Sequence, residues 1–449
     1  MSLKQTILKG VIYTNGGIAL NSLTFLLTSI YTFRIVAPRE YGVVGLCMSL
    51  GLFGDYLINL GLSPVFGSEM AKKRGDGNLP GVKYYFNALL KLQTVSTLAL
   101  ALILIALRRP AAGFIHVPPD YLYAVALYIL FYSANVFYTT FFNAFLLYFW
   151  QNALGMLAGV FRFALVAAVY FAKPEDPVFW LLWTFPASMA GAVLVATPPM
   201  AAHTARVFRG VTAHGSADMR ASLRAQVKVG AFQHPLKSVV DIAPPWILKF
   251  FTNNEAVGIY YASMQLIRGL YMFMRGMETT LLPLISQYHA QDKNKRREIM
   301  ERMSKYTLWM TLIASVAACA ALPWLVTWLV KLEYLKAIPY FRVSLLLLIP
   351  LVYMQVQRPL LYAMERQDAL VITDILMIAV LAAGSLTVVP WFGLWGMIAV
   401  NIANKALTVV AYRQFIRQRE PDYNLGGNPF RVDATDRKYI KTLLTLGRK

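Results

Sequence analysis

The sequence predicts an all-α, polytopic membrane protein with about twelve transmembrane helices. Three observations predict it. Of 449 residues, 57% are hydrophobic and 14% charged, against roughly 25% charged in a soluble chain. Apolar runs recur from end to end, each near the about 20 residues that a bilayer requires. Lys and Arg collect in alternate loops, the positive-inside pattern.

In chain order, spans are predicted at residues 11–36, 41–68, 84–107, 121–145, 152–171, 178–199, 229–250, 259–285, 306–330, 339–363, 369–389 and 395–416. The first run is longer than a signal-peptide core and lacks a small-residue cleavage site, so it reads as an uncleaved span. An even number of spans puts both termini on one side. The loops on that side carry Lys72, Lys73, Arg74, Arg206, Arg209, Lys293, Arg296, Arg297 and a basic tail. The opposite loops carry only Arg39, Arg108, Arg109, Lys173, Lys249, Lys331 and Lys336, a roughly fourfold asymmetry that places both termini in the cytoplasm. The net charge of +21 belongs to those loops, so no nucleic-acid partner is expected.

The longest internal polar gap divides the spans six and six. Residues 1–210 read as an N-terminal lobe and 211–228 as a basic linker. Residues 229–420 read as a C-terminal lobe and 421–449 as a basic tail. The halves are faintly alike. Arg39-Glu40-Tyr41-Gly42 follows the first span, and Asn254-Glu255-Ala256-Val257-Gly258 follows the seventh. Two halves of equal orientation imply parallel repeats about an axis along the membrane normal. The tail segment Asp436–Leu444 reads either as a basic amphipathic surface helix or as a solvated tail.

Ionisable residues at bilayer depth are expensive, about 2.5–3.5 kcal/mol each on insertion scales. Arg268 and Arg275 lie seven apart on the eighth span, on one helical stripe with Tyr261, Gln265, Met272 and Thr279. Arg162, Lys237 and Lys405 are equally central, and Lys91 lies in the third span. Arg34, Arg342 and Arg358 lie nearer span ends, where snorkelling to the interface accounts for them equally well. The buried acids are Asp55, Asp241, Glu278 and Asp374, candidate proton or sodium sites. Lys237 with Asp241 and Arg275 with Glu278 have helical pair spacing, so each couple also reads as a structural ion pair. Arg268 has no acid at such spacing and is the first candidate for an anionic ligand, followed by Arg162.

Other features admit structural readings. Asn15, Ser22 and Ser29 repeat every seven residues, lining a cavity or bonding a neighbouring helix. Gly155-Met156-Leu157-Ala158-Gly159 is a small-xxx-small packing pattern. Pro235, Pro244 and Pro245 interrupt the seventh span, as in the bending helices of transporters. Cys47 and Cys319 sit in separate spans and have no metal or disulfide spacing. No Walker A loop, HExxH, GxSxG or CxxC occurs, so no enzyme activity and no cofactor is expected.

The Phe33–Gly42 turn, the matching Asn254–Ala262 turn and the two six-span halves resemble the polysaccharide transporter (Wzx-type) flippases of the multidrug/oligosaccharidyl-lipid/polysaccharide exporter superfamily. The similarity extends to about residue 416. It implies translocation of polyprenyl-diphosphate-linked sugar repeats across the bacterial inner membrane by alternating access. It implies lipid-linked anionic oligosaccharide and membrane lipids as partners, with a polysaccharide polymerase and export complex as further candidates. A cation-coupled exporter of small amphipathic molecules on the same fold is the alternative. The cation excess agrees with the first reading, because a diphosphate headgroup requires a wet, positive cavity and the planar fork of Arg binds phosphate oxygens in pairs.

Overall fold

The computed structural model describes residues 3–59, 62–289, 293–364, 366–421 and 423. The tail segment Asp436–Leu444 lies outside them, as do the side chains of Asn15, Lys237, Arg275 and Glu278. The described chain is helical throughout: α1 (Leu3–Ile35), α2 (Pro38–Asn59), α3 (Leu62–Gly75), α4 (Leu79–Ala106), α5 (Arg108–Ile115), α6 (Tyr121–Ala144) and α7 (Tyr148–Ala172). There follow α8 (Pro177–Val207), α9 (Ala217–Phe251), α10 (Asn254–His289), α11 (Lys293–Leu329), α12 (Ile338–Ser344), α13 (Leu348–Ala363) and α14 (Gln367–Arg417). Among the described residues, eight helical segments are long and apolar enough to cross a membrane. The protein is an all-α, multi-pass inner-membrane protein.

Local chemistry sets the helix ends. Asn78 accepts from Gly81 N at 2.9 Å and opens α4, with Pro80 in the first turn. Asp176 does the same for α8 through Phe179 N at 3.0 Å, and Ser216 for α9 through Met219 N at 3.2 Å. These caps satisfy amide groups that the helix leaves unpaired. His116 and Lys173 adopt left-handed backbone to end α5 and α7.

The predicted run 41–68 is covered by α2 and α3, and α3 runs on through Lys72, Lys73 and Arg74 because a helix is held by its backbone bonds and continues where apolarity stops. The short α5 was not anticipated. The predicted linker 211–228 is already helical from Ala217, where Ser216 caps it. The tenth span is assembled from α12, a 3₁₀ turn at Leu345–Leu347 and α13. α14 holds two predicted spans in one helical run, joined at Gly393, whose φ of 52° breaks the helix close after Pro390.

Exposed aromatic residues mark one end of the bundle. Phe171, Phe250, Trp324, Trp328, Trp391 and Phe392 stand two-thirds or more exposed, all at helix ends beside the lightly charged loops. Such belts form at the membrane–water interface. The core runs through α1, α2 and α6 to α10, α13 and α14. Within it α1 packs on α7 and α10, and α2 packs along α10.

Candidate site: a polar chamber and a glycine contact between two helix starts

A chamber of about 360 Å³ lies among α1, α6, α7 and α8. One face of α1 supplies Asn21, Phe25, Thr28 and Thr32, spaced by helical turns. α6 supplies Tyr128, Tyr132 and Asn135, and α8 supplies Phe185, Ser188 and Met189. Tyr41 of α2 and Gln265 of α10 complete the wall. Among the described residues the lining contains one cation, Arg162, and no acid. Its guanidinium carbon lies 3.7 Å from the centroid of the Phe185 ring, a cation–π contact. Its Nε is buried with no hydrogen-bond partner, and Asn135 Nδ2 is likewise without one. A buried donor left unpaired costs about 1–3 kcal/mol, so two donors of the chamber stand without an acceptor among the described residues.

Close helix packing shapes the wall. Gly155, Ala158 and Gly159 of α7 line the chamber where α7 meets α1. A Cβ on Gly159 would stand 2.7 Å from Thr24 Oγ1. The small-xxx-small pattern is therefore a packing device, and the approach it allows also forms the chamber. Of the heptad on α1, Ser22 is buried and Ser29 both lines the chamber and accepts from Gln265 Nε2 at 3.2 Å.

Arg268 is exposed on α10. It lies within electrostatic reach of Tyr41, Tyr56, Tyr260 and Tyr261. Tyr41 feels both Arg162 and Arg268, so the two leading sequence candidates share a neighbour. The remaining candidates are dispersed. Lys405 is half-buried on α14, a turn from Asn401, whose Nδ2 donates to Tyr260 Oη at 2.8 Å. Lys91 is exposed on α4, on the side away from buried Gln93, and does not line the chamber. Arg358 is half-buried on α13 and Asp374 buried on α14, while Asp241 is exposed on α9. Asp55 is buried in α2. Lys237, Arg275 and Glu278 fall outside the described side chains.

Arg34 is not a chamber residue. Its Nε donates to Leu329 O at 2.6 Å and its terminal nitrogen to Trp328 O at 3.0 Å, so it caps the end of α11. Lys331 returns the contact by donating to Ile35 O at 2.8 Å, and Tyr334 Oη donates to Val36 O at 3.2 Å. Lys336 pairs with Glu255 at 2.9 Å, and that carboxylate holds the Lys336 ammonium above the usual lysine range. Beside this latch the first turns of α2 and α10 touch through glycines. A Cβ on Gly42 would lie 2.1 Å from Asn254 O, and one on Gly258 would lie 1.6 Å from Pro38 O. The two similar turns of the sequence therefore meet each other and shut the end of the bundle that carries the aromatic belt.

The sequence reading missed Tyr128, Tyr132 and Asn135. Their four- and three-residue spacing on an aromatic span is a polar stripe, visible in the sequence once α6 is read for faces.

The sequence matches the polysaccharide biosynthesis protein family over residues 7–289, well over half of the chain. The chain belongs to this family. No curated protein matches the chain in a sequence comparison. The fold of this polysaccharide biosynthesis protein is similar to solved transporters. An inward-facing multidrug resistance MATE family transporter of the MOP superfamily superposes with a TM-score of 0.74 at 10% identity, covering 90% of this chain and 96% of that one. An outward-facing MATE family transporter gives 0.64 at 12% identity, covering 96% and 97%. The lipid II flippase MurJ in an inward closed conformation gives 0.69 at 10% identity, covering 91% and 87%. The likeness is one of fold, and it extends over nine-tenths or more of this chain in each case.

Proposed function

We propose that this protein flips a polyprenyl-diphosphate-linked oligosaccharide from the cytoplasmic to the periplasmic leaflet, for cell-surface or secreted polysaccharide. The observation that carries the reading is Arg162: a half-buried guanidinium whose enclosed Nε has no described partner, in a chamber with no acid among its described lining residues. Its hydroxyl and amide neighbours suit a sugar, and its charge suits a phosphate or an acidic sugar. Arg268 extends the positive field through Tyr41. The family membership and the likeness to a protein described as a lipid II flippase support a lipid-linked cargo. Lys237, Arg275 and Lys405 add to the field in this reading. A polymerase and export complex would receive the product, and membrane lipids surround the bundle.

The architecture that serves this function is twelve spans in two six-helix lobes. The eight apolar segments count as nine when α14 is divided at Gly393, and α1, α9 and α10 complete the twelve. The lobes rock about the chamber, and both termini are cytoplasmic. Single cysteines at Gly210, Asn294 and Asn428 should then all be labelled from the inner face only. One site labelled from outside breaks the scheme.

A cation-coupled exporter of small amphipathic molecules is the second reading, supported by an apolar cavity of about 430 Å³ among α4, α6 and α8. Proteoliposomes separate the two. The protein should translocate a fluorescent polyprenyl-diphosphate-linked oligosaccharide without nucleotide and leave cationic dyes unmoved. Dye export with no movement of the lipid-linked sugar reverses the assignment.

A further inference from the structure

The chamber leaves Lys91 out. This lysine is exposed on α4 between Leu90 and Leu92, which are exposed too, and Val95 one turn on is 58% exposed. Further along the same helix Leu98, Leu102 and Ile103 also stand exposed, so this side of α4 faces the hydrocarbon of a bilayer. By the rise of a helix, Lys91 lies about 18 Å from Leu79, which opens α4. A cation at such depth on a lipid face is costly. Among the described residues no hydrogen bond or ion pair reaches it. Cations nearer that end of the bundle are engaged by the protein itself. Lys83 Nζ donates to Val211 O at 2.7 Å and lies 6.0 Å from the Phe208 ring centre. Arg74 donates to Ala144 O at 3.3 Å and lies 5.2 Å from that of Phe145.

Beside Lys91 runs the cavity of about 430 Å³ among α4, α6 and α8. α6 packs on both α4 and α8 and floors the groove between them. Leu90 and Thr94, which flank Lys91 along α4, line one wall, and Ala201 of α8 lines the other. All three are exposed, so the groove opens toward lipid. It is separate from the chamber, because α6 turns Tyr132 and Asn135 to the chamber and Ser133 and Ala134 to the groove. The hydroxyls of the groove bond within the protein. Thr97 and Ser133 share a bond of 2.8 Å, Tyr138 and Thr197 one of 3.0 Å, and Thr204 donates to Met200 O at 2.9 Å. A hydrocarbon chain can lie against them without leaving these groups unpaired.

We propose that Lys91 and this groove form a site for an anionic phospholipid of the inner leaflet, with one acyl chain in the groove and the phosphate on the Lys91 ammonium. Side chains on a helix tilt toward its N-terminus, and α4 begins next to Lys72, Lys73 and Arg74, so Lys91 extends toward the headgroups at that end. Basic pockets between spans on the cytoplasmic side hold such headgroups. The groove alone selects little, because every lipid supplies a chain; the charge selects. One lysine balances the single charge of a phosphodiester, whereas a diphosphate carries more. The choice of leaflet rests on the topology proposed above; the binding itself does not.

The probe is phosphatidylglycerol with a photoreactive group on its acyl chain, and phosphatidylcholine with the same group is the comparison. The purified full-length protein is held in lipid nanodiscs without cargo, and adducts are mapped by peptide mass spectrometry. Phosphatidylglycerol should label the groove walls about fivefold or more over phosphatidylcholine, the ratio that one lysine near the membrane surface supplies. Lys91→Gln should lower that ratio about fivefold at the groove and leave labelling elsewhere on the bundle unchanged. Ala201→Trp, which fills the groove from an exposed position, should remove the adducts on α6 with Lys91 still in place. Arg39→Gln, on the outer turn, should change neither. The site is overturned if wild type and Lys91→Gln give the same ratio, or if adducts spread evenly over the lipid face. Stronger competition by a polyprenyl diphosphate than by unlabelled phosphatidylglycerol would overturn the assignment to membrane phospholipid and give the groove to the cargo. No cargo moves in this experiment, so its failure leaves the flippase reading standing. Undiminished polysaccharide in Arg162 variants would likewise leave this lipid site untouched.

Discussion

Gly258→Ala is expected to abolish transport while the protein still inserts and accumulates. The added methyl would meet Pro38 O at 1.6 Å, and that atom belongs to the backbone of the facing helix turn. A flexible side chain can yield to such a clash; a helix start anchored by Pro38 and by the Ala37 N to Glu40 Oε2 bond of 2.8 Å cannot without moving the helix. The first turns of α2 and α10 must separate, and with them the latch of Arg34, Lys331 and Lys336. The hydrogen bonds of Arg34 and Lys331 contribute about 1 kcal/mol each where they are partly solvated, too little to hold the two helix starts together against a backbone clash. Spin labels at the exposed positions Arg39 and Lys336 should move apart in Gly258→Ala, and Gly42→Ala should behave in the same way. Arg34→Ala should have a graded effect, loosening the gate and reducing output without abolishing it. An unchanged distance distribution with normal polysaccharide output would show that this contact is not the outer gate.

Arg268→Ala is expected to eliminate surface or secreted polysaccharide at normal protein level, and Arg162→Ala to do the same. For Arg162, which lines the chamber, removing one partner of a buried charge interaction costs about 2–5 kcal/mol, enough to lower cargo affinity at least tenfold; Arg268 is exposed and acts through the field it shares with Arg162 at Tyr41. Lysine at either position should rescue in part, because it keeps the charge and loses the planar fork. The deficit of Arg162→Lys should be the larger. The guanidinium stacks at 3.7 Å on Phe185, and an ammonium does not reproduce that flat contact. Arg39→Ala, on an exposed outer turn, serves as the control and should be nearly silent. Arg268→Ala and Arg275→Ala combined with undiminished polysaccharide would rule out a cationic cavity, and the small-molecule exporter would become the better reading.

Much of this molecule is legible in one dimension. The helices follow the apolar runs, because a chain in hydrocarbon must satisfy its own backbone and a helix does so within one segment. Arg162 and Arg268 stand out because a central cation needs a reason. The likeness of the Arg39–Gly42 and Asn254–Gly258 turns is also visible, as a repeat. Their contact is not. Nothing in either turn shows that the carbonyls of Asn254 and Pro38 occupy the places where a Cβ on Gly42 and on Gly258 would go. Arg34 is misleading for a related reason. Its position near a span end fits snorkelling or a cavity, and its partners, the carbonyls of Trp328 and Leu329, are almost three hundred residues away.

Composition and charge periodicity, which depend only on the transfer of each segment between water and hydrocarbon, determined that this protein is a helical membrane protein with costly cations at depth. Tertiary structure alone decided which of those cations meet. It gathered Arg162 with the stripes of α1 and α6 into one chamber, put Lys91 on the outside of α4 and set Arg34 at a gate. Those outcomes depend on how helix faces are rotated against one another, and the pairing of distant faces is a property of the packed bundle rather than of any one span.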